Sequence, residues 1–264
     1  MKIASIQMAP AEESKDAAVE KAAALIRECA DADLVMLPEM WNIGFMSFDR
    51  YLTEAEDMEG PTLTMLKELA RETGVHLHTG SFVIKEKDRF FNTSFLLSPA
   101  GEEMARYRKI HLFGHQSKEN RILSPGSETV VTDTVFGKAG LATCFDLRFP
   151  ELFRNMVDQG ARLFLVCSAW PYPRLEHWLM LTRVRALENQ SFLISANAAG
   201  TSRGTMFTGH SMVIDPWGTI RAGAGDGETI VRCEIDPEES DRARIAFPSL
   251  SSRSPLLNPH LTQP

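Results

Sequence analysis

Three side chains in this 264-residue sequence stand where chemistry is possible: Glu39, Lys109 and Cys144. Cys144 follows the small, apolar run 140–143 and is succeeded at once by Asp146 and Arg148 in GLATCFDLRFPELF, so charge begins at the thiol. A cysteine there is either inert core filling or a nucleophile held at the end of a strand, within reach of solvent. Glu39 closes the apolar stretch DLVMLPE. A carboxylate at that point can cap a helix, join an ion pair or move protons. Lys109, in RYRKIHLF, is either a solvated cation or a charge set against an apolar wall. Cys167 sits inside LFLVC and reads as a buried, unreactive thiol, while Cys29 and Cys233 have no supporting context.

Other constellations compete with this set. His111, His115 and Glu119 recur at four-residue intervals and would line up as zinc ligands on a helix. Gly114 interrupts that stretch and FGHQSKENR reads as a loop, so no metal is expected. His76 and His78 share one face of a strand and read as packed or surface histidines. GHSMV lacks the second glycine of a serine nucleophile elbow. No phosphate-binding loop or G-x-G-x-x-G follows any apolar run, and no cofactor is expected.

The elements that must position these residues alternate along the chain. Residues 2–8 read as a strand, and 16–30 as a helix with Val19, Ala23 and Ile26 on one face. Residues 33–39 form a continuous apolar run, the pattern of a strand covered on both sides. Gly60-Pro61 opens a helix that Gly74 should close, followed by strands over 75–84, 90–97 and 103–108. A helix is expected over 174–189, a strand over 191–197, and two strands joined at Asp-Pro-Trp-Gly (215–218). The halves echo one another: KIASIQM (2–8) resembles KAGLATC (138–144), and ADLVMLPE (32–39) resembles ARLFLVCS (161–168). Two strand-helix-strand units facing each other would bring the ends of LVMLPE and GLATC together. No linker divides the chain, so one domain over 1–264 is expected, with a Pro- and Ser-rich tail from about residue 247 lying extended over a surface.

Composition narrows the function classes. A net charge of −7 leaves no basic excess for phosphate backbones, so no nucleic-acid partner is expected. The N-terminus lacks the apolar segment of a secretory signal, and no run approaches the ~18 apolar residues needed to span a bilayer. Four widely spaced cysteines without a CxxC pair suit reduced thiols, hence a cytoplasmic location and no membrane.

Taken together, LPEMW around Glu39, YRKIHLF around Lys109 and CFDLRFPE from Cys144 resemble the nitrilase superfamily of carbon–nitrogen hydrolases, in that family's order. IASIQMAP, ALENQSF and GHSMVIDPWG extend the likeness nearly end to end. The resemblance implies an α/β fold, the four-layer α-β-β-α sandwich, and a homodimer or higher homo-oligomer built through helices near the nucleophile. It implies a triad of Glu39, Lys109 and Cys144, with Glu119 as a second glutamate orienting Lys109 or the substrate amide. On that triad Glu39 would move the protons, Cys144 would form a thioester, and Lys109 with the backbone N–H of Phe145 would hold the oxyanion. Asp146, Arg148 and Glu151 become an ion-paired scaffold around the cysteine turn. Phe-Asp after the cysteine, in place of Trp-Glu, resembles the Nit branch rather than true nitrilases. SAWPYPRLEHW is similar to bacterial ω-amidase-like members and places Trp170 and Arg174 as substrate-binding residues. The expected substrate is a small carboxamide such as 2-oxoglutaramate. A general aliphatic amide or N-carbamoyl amine hydrolase is the alternative enzyme, and a triad-bearing scaffold protein the alternative outside catalysis.

Overall fold

Along β8 (Leu163–Ser168), Leu163 and Leu165 turn to one face while Phe164 and Val166 turn to the other, and every one of them is buried. A strand with no polar face needs cover on both sides, and this requirement builds the molecule. The computed structural model describes residues 1–10, 14–115 and 117–254. The first sheet gathers β1 (Lys2–Gln7), β2 (Leu34–Met36), β3 (His76–Glu86), β4 (Arg89–Leu97) and β5 (Glu103–Arg108). The second gathers β6 (Val131–Thr134), β7 (Gly137–Thr143), β8 and β9 (Phe192–Asn197). After the small hairpin of β10 (Thr201–Ser202) and β11 (Thr205–Met206), β12 (Met212–Ile214) and β13 (Ile220–Gly223) complete it. The final strand, β14 (Thr229–Glu234), returns to the first sheet and pairs antiparallel with β1.

The strand orders are β14-β1-β2-β3-β4-β5 and β6-β7-β8-β9-β12-β13. Each sheet has an antiparallel edge strand, three parallel strands and then two antiparallel ones. The sequence echo is therefore structural, with β1 corresponding to β7 and β2 to β8. Ile3, Leu34 and Met36 meet Leu141, Leu165 and Ile194 between the sheets. The outer faces are covered by helices. Helices α1 (Lys15–Glu28) and α2 (Pro61–Thr73) pack Ala22, Ile26, Leu63 and Leu66 on the first sheet. A single turn, α3 (Glu119–Ile122), precedes α4 (Pro150–Asp158) and α5 (Leu175–Asn189), which pack Phe153, Met156, Trp178 and Ala186 on the second. The four layers are the expected α-β-β-α sandwich.

Gly74 ends α2 in the left-handed conformation at φ 71°, as its position predicts. β2 is shorter than the expected 33–39. Pro38 has no N–H for a ladder, and its carbonyl instead accepts from Ser81 N at 3.1 Å across a bulge in β3. Helix α6 (Glu239–Ala246) leads to residues 247–254, where the chain makes a 3₁₀ turn over Leu250–Ser252. Leu250 packs against the α4–α5 cluster of its own chain. Leu256, Leu257 and Leu261, on which the expected tail contact depends, lie outside the described residues. Among the described residues no helix is long and apolar enough to cross a membrane.

Candidate active site

The C-terminal ends of β2, β5 and β7 converge between the sheets. Glu39 leaves the first sheet and is anchored on the second: its N–H donates to Ser168 O at 3.3 Å, and its Oε2 accepts from Ala169 N at 2.9 Å. Lys109 follows β5 and is wholly buried. Its Nζ donates to Glu39 Oε1 at 2.8 Å and to both oxygens of Glu119 at 3.0 Å. Glu119, at the start of α3, also accepts from Phe113 N at 2.7 Å. Asn92 on β4 completes the network, donating from Nδ2 to Glu39 Oε1 at 2.8 Å and to Glu119 Oε1 at 2.9 Å.

Cys144 begins the 3₁₀ turn after β7 with φ 49°, the left-handed region that a residue with a Cβ rarely enters. Such strain persists only where the surroundings enforce it. Here Asp146 does so. Its Oδ2 accepts from Thr143 N at 2.8 Å and from the Tyr107 hydroxyl at 2.7 Å. Its Oδ1 accepts from His111 N at 3.1 Å and is 2.7 Å from His111 Nδ1. One carboxylate thus ties the cysteine turn to residues on either side of Lys109. The His111 ring stacks on Phe149 at 3.7 Å, which closes the bracket.

Burial and charge set the protonation states. Burial opposes the charge on Lys109, yet Glu119 and Glu39 hold its pKa well above the usual lysine range. Burial raises Glu119, and Glu39 adds to this against the pull of Lys109. Burial, reinforced by Glu39, lifts the Cys144 thiol well above the ordinary cysteine range. The thiol is therefore neutral at rest, and an attack by sulfur needs a base beside it. Cys167 is raised to about 12 by burial, in keeping with an inert thiol.

A pocket opens at Cys144, walled by Phe45, Phe113, Phe145 and Trp170 and edged by Arg148 and Arg174. Trp170 is fixed by its N–H on Asn197 Oδ1 at 2.8 Å and by its indole on Arg174 O at 2.9 Å. The Arg174 guanidinium lies 5.5 Å over the ring of Phe113 and forms no ion pair with Glu176.

The structure brings Glu39, Lys109, Cys144 and Glu119 into one cluster and sets Phe145, Trp170 and Arg174 in the adjoining pocket. The expected ion-paired scaffold of Asp146, Arg148 and Glu151 is replaced by a different arrangement. Asp146 is satisfied by neutral donors and His111, Arg148 faces the pocket, and Glu151 is exposed. His111 and Glu119 serve Asp146 and Lys109 respectively. Among the described residues no group of three or more His, Cys, Asp or Glu is placed to hold a metal. His78 is fully buried, its Nδ1 accepts from Gly80 N at 3.3 Å, and burial pushes its pKa down to about 3. Asn92 and Arg148 were not foreseen as site residues. The one available signal for Asn92 is an amide set in the apolar run RFFNTSFLL.

A family model for carbon–nitrogen hydrolases matches residues 2–245. Two bacterial proteins named 2-oxoglutaramate amidase are similar along most of their length. That of Paenarthrobacter nicotinovorans is 36% identical over 237 residues, covering 87% of this chain and 81% of its own. That of Bacillus subtilis is 37% identical over 223 residues, covering 84% and 85%. Nit3 of Saccharomyces cerevisiae, a member of branch 10 of the nitrilase superfamily, superposes with a TM-score of 0.86 at 33% identity over 94% of both chains.

Proposed function

The chain belongs to the carbon–nitrogen hydrolases of the nitrilase superfamily, and on that premise we propose that this amidase hydrolyses the ω-amide of a small 2-oxo acid, such as 2-oxoglutaramate, through a thioester on Cys144. The observation that carries the reading is the dry cluster in which Lys109 bridges Glu39 and Glu119 next to the thiol. The names of the bacterial relatives support the substrate.

In the proposed cycle Glu39 takes the thiol proton as sulfur attacks the amide carbon. Lys109 and the Phe145 N–H stabilise the oxyanion, each such donor being worth roughly 3 kcal/mol of barrier. Protonated Glu39 hands the proton to the departing nitrogen, and ammonia leaves. Glu39 then takes a proton from water, whose oxygen attacks the thioester. Collapse returns the thiol and releases the carboxylate. Glu119 and Asn92 keep Lys109 and Glu39 in register throughout. Arg174 grips the substrate's α-carboxylate with two parallel hydrogen bonds, which a lysine cannot reproduce. No cofactor enters the cycle. The four free thiols support a reducing, cytoplasmic setting, and we assign the assembly as a homodimer.

Ammonia release across ω-amides of oxo-acids, neutral amides, carbamoyl compounds and nitriles tests the substrate, with mass spectrometry to trap the Cys144 acyl adduct. Arg174→Lys should raise KM for the ω-amide acid at least tenfold, about 1.4 kcal/mol, well beyond its effect on a neutral amide. Equal losses on both would remove the carboxylate grip.

A further inference from the structure

Arg148 edges the same pocket as Arg174, and no step above uses it. Its guanidinium lies 5.1 Å over Trp170 and 5.8 Å over Phe145. Nη2 is 3.0 Å from His177 Nδ1. Because a guanidinium can only donate, that nitrogen is the acceptor in this contact. Both arginines are half-buried. Arg148 is held by rings and by the His177 ring nitrogen, and no carboxylate pairs with it among the described residues. The charge of Arg174 adds to burial in pushing the Arg148 pKa below the usual range, so the two cations are close enough to repel. No Asp or Glu among the described residues lines the pocket between them. Two cations facing an apolar pocket without a counter-charge are costly, and an anion bridging them relieves that cost.

We propose that Arg148 is a second specificity-determining residue, which with Arg174 clamps the coplanar carboxylate and 2-oxo oxygen of the substrate and rejects the matching 2-amino acid amide. This rests on the ω-amidase reading above. A 2-oxo acid presents flat, acceptor-only oxygens to two planar donor sets, and the aromatic walls hold those sets flat. An α-ammonium in place of the oxo group would add a third cation to a site with no carboxylate to receive it.

The test compares kcat/KM for 2-oxoglutaramate and for glutamine in the wild type and in Arg148→Met. The wild type is expected to favour the 2-oxo amide by at least a hundredfold. Arg148→Met should cut that ratio at least tenfold, chiefly through KM for the 2-oxo amide. Calorimetry of 2-oxoglutarate binding to Cys144→Ala, with and without Arg148→Met, reads the clamp without turnover, and at least tenfold weaker binding is expected. An unchanged ratio or unchanged binding overturns the clamp. A wild type that does not prefer carboxylate-bearing ω-amides to neutral amides would instead overturn the ω-amidase reading, whatever Arg148 does.

Discussion

With Lys109 removed, Glu39 and Glu119 would face each other in a dry site with Asn92 alone to bridge them. Breaking a buried pair from one side typically costs about 3–5 kcal/mol, because the remaining charge stays unpaired. Lys109→Ala should therefore lower stability by that order in urea melts and lower kcat by more than tenfold. Adding Glu119→Gln removes one of the stranded charges, so the double variant should regain stability without regaining turnover. Recovery of both would make Lys109 purely structural. The thiol gives a sharper separation of roles. Glu39 raises the Cys144 pKa through its negative charge, whereas Lys109 lowers it. In Glu39→Gln the raising charge is gone and the lowering one remains, so the thiol pKa falls and more thiolate exists at a given neutral pH. Iodoacetamide should then alkylate Cys144 faster in the variant than in the wild type at pH 7, while amide turnover collapses for want of a base. Slower alkylation accompanying lost turnover would contradict this electrostatic assignment.

At the scale of elements, the position of Glu39 depends on a glycine one strand away. Gly80 adopts φ 64°, and a Cβ there would stand 2.1 Å from Pro38 O. That close approach lets β3 bulge, lets Ser81 N reach Pro38 O and lets Met40 N reach Ser81 O at 2.7 Å. Glu39 lies between these two bonds. Gly80→Ala should cost at least about 2 kcal/mol, since a left-handed alanine is strained and the clash is with backbone. Its kcat should fall by up to about a hundredfold as Glu39 shifts. A variant with native stability and turnover would show that the bulge does not position the carboxylate. This device was hidden in the sequence, where residues 33–39 read as one strand and Gly80 as an ordinary strand residue. Strand and helix positions were legible because burial on one or both faces imposes a period on residue type. Asn92 and the Asp146 bracket were not, because their partners are 27 to 53 residues away for Asn92 and 35 or more for the ties from Asp146 to Tyr107 and His111. Lys109 was legible only through family motifs, since nothing local to RYRKIHLF distinguishes a buried ammonium from a solvated one.

At the scale of the molecule, β14 crosses back to pair with β1, so the last strand closes the sheet the first one began. The first sheet cannot be completed without residues from the other end of the chain, which supports reading the chain as one domain. Helix α5 then presents a further demand. One face buries Trp178, Thr182, Arg185, Ala186 and Asn189. The opposite face carries Met180, Val184 and Leu187 at 61%, 41% and 50% exposure, one apolar stripe at helical spacing. Gly218, whose carbonyl accepts from Arg183 Nε at 3.0 Å, brings the half-exposed Trp217 alongside. A helix that buries one face in its own subunit and carries an exposed apolar stripe on the other is suited to cover by another surface, and a second copy of α5 across a two-fold axis would supply the same stripe in return. The wild type should sediment as a dimer at micromolar concentration. Val184→Glu places a charge in the middle of the stripe, where two copies would meet at the axis and repel, and it should shift the protein to monomer. The fold of the subunit should survive, because Val184 contributes little to its own core. The pocket begins at Arg174, one residue before α5, so separation of the subunits should also raise KM, by severalfold, through the loosened start of that helix. A wild type that sediments as a monomer, or a Val184→Glu variant that remains dimeric, would move the interface away from α5.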